Sequence, residues 1–155
     1  MMDPKEIMYE AGRMQALDLQ ERSSNLTGTQ LNAEDDKIPD FREAVRKKNM
    51  LKRTAGQEDG FVCKSSAGRV VRLIQNYDSD IHTGEPEDLP AQFRFVWSQD
   101  PGKATPFIAS STSYYNKGDC CLNAAGQPRR STIDVNTFDP DVSPQFWEDP
   151  YSGAV

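Results

Sequence analysis

Hydrophobic periodicity changes from helical to alternating after Gly60, and that change constrains the fold more than any other feature. Beyond it, apolar residues recur at every second position, the spacing of a half-buried strand. Phe61 and Cys63 point one way, an SSAG turn follows, and RVVRLIQ sets Val71 and Leu73 against Val70, Arg72 and Ile74. The two runs read as a hairpin. After an acidic loop, YDSDIHTGEPEDLP, the run AQFRFVWS places Phe93, Phe95 and Trp97 on one face. DPGK at 100–103 puts proline and glycine at the centre of a type II turn. TPFIASSTSYY reads as the next strand, NKGD as a turn, and CCL and STIDV as further short strands. About six short strands with frequent turns predict a small antiparallel β-sandwich or barrel.

Before Gly60 the spacing is helical. Asp3, Pro4 and Glu6 stand as N-cap, first helical residue and capping-box partner, with Met2 and Ile7 placed as a hydrophobic staple. Ile7, Ala11 and Met14 make a narrow stripe flanked by Met8 and Leu17. Its methionines suit an adaptable contact surface. Residues 23–37, SSNLTGTQLNAEDDK, lose the period and read as a linker or extended arm. A second helix is predicted from about Pro39 to Lys52, with Phe41, Ala44, Val45 and Lys48 on one face. Its acids come early and its bases late, as the helix dipole favours. The expected class is therefore α+β: two helices before the β domain, an extended N-terminal linker, and a C-terminal arm. Residues 1–58 form the helical arm, 59–136 the β domain, and 137–155 an extended tail of aromatics and prolines.

A chain with 36% hydrophobic residues can bury one small core without employing every segment. No apolar run approaches the roughly 20 residues that cross a bilayer, so no membrane partner is expected. MMDPKEIMYE has acids where a secretory signal carries bases, so the expected place of synthesis is the cytosol of the producing cell. The charge of −6 is unevenly spread: residues 1–40 carry four bases and nine acids, 41–76 nine and three, 77–155 five and twelve. A basic middle between acidic ends favours charge-complementary contacts.

The chemistry-bearing residues do not assemble into a reactive set. His82, the single histidine, lies in a loop beside Asp78, Asp80 and Glu85 with no companion nucleophile. Cys63, Cys120 and Cys121 lack the two-to-four-residue spacing of zinc ligands and read as free thiols. On a strand, adjacent Cys120 and Cys121 face opposite sides, one inward and one outward. DSDIHTGEPED has the composition of a calcium loop without its ligand order. No glycine-rich phosphate loop is present. No enzyme, metal site or cofactor is expected.

Two segments suggest binding. The bases Arg42, Arg46, Lys47, Lys48, Lys52 and Arg53 form a dense patch suited to a phosphate backbone or an acidic partner. No aromatic ladder accompanies it. At the other end Phe138, Phe146, Trp147 and Tyr151 sit among Pro140, Pro144 and Pro150. Prolines bar this stretch from the centre of a sheet and lower the entropy lost on fixing it. It reads as a strap of rigid spacers and aromatic plugs, docking on a neighbouring subunit or folding back over the chain's own sheet edge.

The expected partner-binding residues are thus Ile7, Met8, Met14, Phe138, Phe146, Trp147 and Tyr151. The expected role is that of a non-enzymatic structural subunit of a large assembly, whose partners are its other protein subunits. Accessory proteins of virus particles, including bacteriophage heads and tails, have this architecture, which would place the chain in such a particle. The alternative is a nucleic-acid-associated module using residues 42–72.

Overall fold

Short elements follow from short patterns. The computed structural model describes residues 3–5, 14–15, 18–47, 61–75, 77–78, 80–110 and 112–151. Among them are three short N-terminal helices and seven short strands in two mostly antiparallel sheets, neither closed into a barrel. They divide into two compact units, Met1–Leu26 with Glu34–Arg94, and Thr27–Ala33 with Phe95–Val155. None of the described helices is long and apolar enough to cross a membrane.

In the first unit, Asp3 accepts from the Lys5 N–H at 3.1 Å, the contact expected of an N-cap. Residues 18–22 are helical and run into a 3-10 turn at Ser23–Asn25. Helix α2 (Phe41–Lys47) buries Phe41 and Ala44 on the expected face. Strands β1 (Val62–Lys64) and β2 (Val70–Leu73) pair antiparallel, Cys63 opposite Val71, and β3 (Phe93–Phe95) completes the sheet in the order β1-β2-β3. The expected hairpin is therefore present. All four residues of β2 are buried, including Arg72, because both of its faces are covered. Arg72 donates from Nη2 to the Ser23 carbonyl at 3.1 Å, so its charged end meets oxygen.

In the second unit, β4 (Thr105–Pro106), β5 (Cys120–Leu122), β6 (Pro128–Ser131) and β7 (Trp147–Glu148) lie in that spatial order. Four sequence expectations need correction here. Residues 23–37 are not an extended linker: Gly28–Ala33 is helix α1, and Asp35–Lys37 is a 3-10 turn. Thr27 and Gln30 cap α1 reciprocally, the Gln30 N–H donating to Thr27 Oγ1 and the Thr27 N–H to Gln30 Oε1. Of the described residues of TPFIASSTSYY, Thr105–Pro106 alone form a named strand, which pairs parallel to β5. The strand expected at STIDV lies three residues earlier, since Gly126, at φ +77°, closes the loop 123–127 that joins β5 to β6. Residues 100–103 form a 3-10 turn rather than type II, because Asp100 Oδ1 accepts from the Gly102 N–H at 2.9 Å and holds Gly102 out of the left-handed region.

The two hairpin loops have one geometry. In each the first residue's N–H bonds the fifth residue's carbonyl, and the fourth residue's N–H bonds the first carbonyl: Ser65 with Arg69 and Gly68, Asn123 with Gln127 and Gly126. The fourth residue takes a positive φ, which glycine adopts without a Cβ penalty.

Candidate functional site

The C-terminal segment turns at 140–142, makes a 3-10 turn at Pro144–Phe146, pairs as β7 at the sheet edge, and turns again at 150–151. The edge position is the one its prolines permit. Trp147 is only 6% exposed and packs with Tyr115 and Cys121. Its ring meets Tyr115 edge-on at 5.3 Å and Phe107 at 6.0 Å, and its Nε1 donates to the Phe138 carbonyl at 2.9 Å. The tail therefore folds back on its own sheet, with Trp147 as the anchor.

Asn136 locks that arrangement. Fully buried, it exchanges backbone bonds with Tyr115, and its Nδ2 donates to Ser131 Oγ and to the Phe146 carbonyl. Its Oδ1 accepts from the Phe138 N–H at 3.0 Å. A buried amide with its hydrogen bonds satisfied fixes one conformation.

The neighbouring apolar side chains point the other way. Phe138, Val142 and Tyr151 are exposed, and Phe138 stacks on half-buried Phe146 at 4.6 Å. Val135 is also exposed and holds φ +51°, a left-handed value that is costly for a β-branched residue. Its N–H is held by Asn116 Oδ1 at 3.2 Å.

A second feature lies in the first unit. A cavity of about 240 Å³ is walled by Phe41, Val45, Tyr77 and His82, with Arg42 and Arg46 also lining it. Phe41 meets Tyr77 and Phe93 edge-on, and the His82 ring stacks on Tyr77 at 5.6 Å. Arg42 reaches Glu85 at 2.9 Å and donates from Nε to Ser66 Oγ at 3.0 Å. Ser66 in turn bonds Glu85. Arg46 stands at 3.9 Å from Glu43. Thus the basic patch contributes two described guanidinia to the margin of an aromatic cavity. Lys48, Lys52 and Arg53 lie outside the described residues, as do Ile7, Met8 and the side chain of Lys47; Met14 is exposed.

The thiols have a different environment. All three cysteines are reduced and buried, so the expectation that one of Cys120 and Cys121 faces outward is corrected: both faces of β5 are covered. Desolvation pushes the Cys121 thiol up to about 12 and raises Cys63 and Cys120 as well. They pack as small apolar groups, not as nucleophiles. Among the described residues, no group of three or more His, Cys, Asp or Glu is arranged to hold a metal ion.

Sequence reasoning missed the buried polar hubs Gln20, Asn32 and Asn136. Only α1 had a readable signal: T-G-T-Q at 27–30 is a capping-box spacing. Comparison with protein-family models, curated proteins and solved structures found no match.

Proposed function

We propose that this chain is a non-enzymatic interaction subunit of a large protein assembly, of the kind that bacteriophage heads and tails use as accessory proteins. One observation carries the reading: a single C-terminal segment is anchored by buried Trp147 while it presents Phe138, Val142 and Tyr151 to solvent. An aromatic ring buries about 150–250 Å² at an interface. At roughly 25 cal/mol per Å², two rings and a valine are worth several kcal/mol to a partner. Because the anchor already fixes the backbone, docking does not incur the ordering cost of a free arm.

The rival reading, a nucleic-acid-associated module, draws less support. Of the bases in residues 42–72, Arg69 and Arg72 are buried, Arg69 at 3.0 Å from Glu87, and Arg42 is engaged by Glu85. Fewer cations remain to displace counterions from a phosphate backbone.

Truncating the tail would remove Trp147 from the core, so the test uses surface substitutions. In the producing cell the wild-type chain is expected to sediment with a high-mass particle. The Val142→Ser/Tyr151→Ser chain, with unchanged circular dichroism, is expected to stay in the slow fraction. Equal recovery of both chains in the particle overturns the proposal.

A further inference from the structure

A strained loop joins the tail to the sheet edge on which the tail lies. We propose that residues 136–151 exchange between two copies of this chain. Each tail then lies on the other copy's β6, and each Trp147 fills the other copy's pocket beside Tyr115. The inference goes beyond the proposed function and does not depend on it.

The fit between tail and acceptor is visible within one chain. Strand β7 lies on β6 with Arg130 opposite Glu148 and Ser131 opposite Trp147. The Thr132 N–H extends that ladder by donating to the Phe146 carbonyl at 3.0 Å. Trp147 packs with Tyr115 and Cys121, and Asn136 exchanges backbone bonds with Tyr115 and donates to Ser131 Oγ. Each of these contacts joins the tail to a residue at or before Thr132. An identical second copy therefore supplies the same atoms, with shape and charge already matched. The bonds from Trp147 Nε1 to Phe138 and from Asn136 to Phe138 and Phe146 lie within the tail and travel with it.

What differs between the two forms is the hinge, residues 132–135, a run of bends between β6 and Asn136. Val135 holds φ +51° there, a costly value for a β-branched residue. The bonds that shape the loop run through side chains. Ser131 Oγ donates to the Ile133 carbonyl at 2.7 Å, Asp134 Oδ1 accepts from the Lys117 N–H at 3.0 Å, and Asn116 Oδ1 accepts from the Val135 N–H at 3.2 Å. Asp134 and Val135 are exposed, so water can replace their bonds when the loop extends. Exchange frees Val135 of its left-handed φ in both copies. A short hinge under strain invites such exchange.

The tail can leave without breaking a central strand, because β7 is two residues at the edge of its sheet. Its release must extract buried Trp147, which makes exchange slow between folded chains. Each copy gives and receives the same segment, so the dimer closes with two-fold symmetry. With equal contacts in both forms, hinge strain favours the dimer and the lost freedom of one chain opposes it. The balance moves toward the dimer with concentration, and most where many copies are held together.

A disulfide between facing positions of β6 and β7 reads the topology directly. The full chain carrying Arg130→Cys/Glu148→Cys is refolded under reducing conditions at low and at high concentration. It is then diluted, oxidised, and separated by mass under denaturing, non-reducing conditions. After refolding at low concentration the bond is expected to close within one chain. After refolding at high concentration a species of twice the mass is expected, its bonds running between chains. Adding Val135→Gly removes the Cβ penalty from the closed loop and should lower that species about tenfold. Bonds that close within one chain at every refolding concentration overturn the inference, as does a double-mass species that Val135→Gly leaves unchanged. Neither result alters the co-sedimentation test of Val142 and Tyr151, so failure of the exchange leaves the proposed function standing.

Discussion

The side-chain amide of Gln20 takes the place of a neighbouring strand beside Val62. Its Nε2 donates to the Val62 carbonyl at 2.7 Å, and its Oε1 accepts from the Val62 N–H at 2.9 Å. Both residues are buried, so this edge of β1 is satisfied by a helical residue 42 positions earlier. Replacing Gln20 with Leu keeps the volume and orphans two backbone groups. The expected cost is about 2–4 kcal/mol, read from the denaturant midpoint at unchanged slope.

Gly28 is the position where α1 meets backbone most closely. A Cβ there would lie 2.2 Å from the Trp97 carbonyl oxygen, and Asn32 Nδ2 ties the same helix to the Val96 carbonyl at 3.0 Å. Gly28→Ala must push α1 away from the backbone of residues 96–97, at a cost of about 1–3 kcal/mol. A thermal midpoint at or above wild type would contradict the packing.

The aromatic residues of the tail should separate by role. Trp147→Ala opens a cavity between Tyr115 and Phe107 and is expected to cost about 3–5 kcal/mol. Tyr151→Ser should change stability by less than about 0.5 kcal/mol. Comparable destabilisation by both would mean that Tyr151 is packed, not presented.

Glu34 sets an acid limb. Arg22 donates to it through two nitrogens, at 3.1 and 3.2 Å, and Lys37 through Nζ at 3.0 Å. These donors, Arg22 foremost, lower its pKa from 4.5 to about 2. A carboxylate depressed on folding contributes stability above its unfolded value and loses it as pH falls through the folded one. Glu34→Gln should therefore be less stable than wild type at pH 7, and the difference should close between pH 4.5 and 2. A difference independent of pH would show that the fork carries no charge-dependent stability.

The buried thiols should be silent to alkylation. With desolvation holding Cys121 at about 12, and Cys63 and Cys120 also raised, iodoacetamide is expected to label the native chain only at the rate of unfolding. Rapid labelling of any one of them would contradict the burial of its strand.

Legibility followed the range of the contact. The hairpin at 62–73 was readable because alternation, a glycine turn and strand length all lie within one short window. Helix α1 was readable in principle from T-G-T-Q, but its single buried leucine, Leu31, gave no period. For the tail, the prolines announced an edge position; they did not announce that Trp147 would turn in while Tyr151 stayed out.

By itself, the sequence determined where helical spacing yields to strand spacing, where glycine must close a hairpin loop, and where a basic middle segment lies between acidic ends. These are short-range consequences of dihedral preference and apolar spacing. Only the tertiary structure decided that Gln20, Asn32 and Asn136 would be buried, that β4 would run parallel to β5, and which aromatic ring would serve as anchor. Those outcomes depend on backbone groups far away in sequence that need a partner once water is gone, and no local pattern records who that partner is.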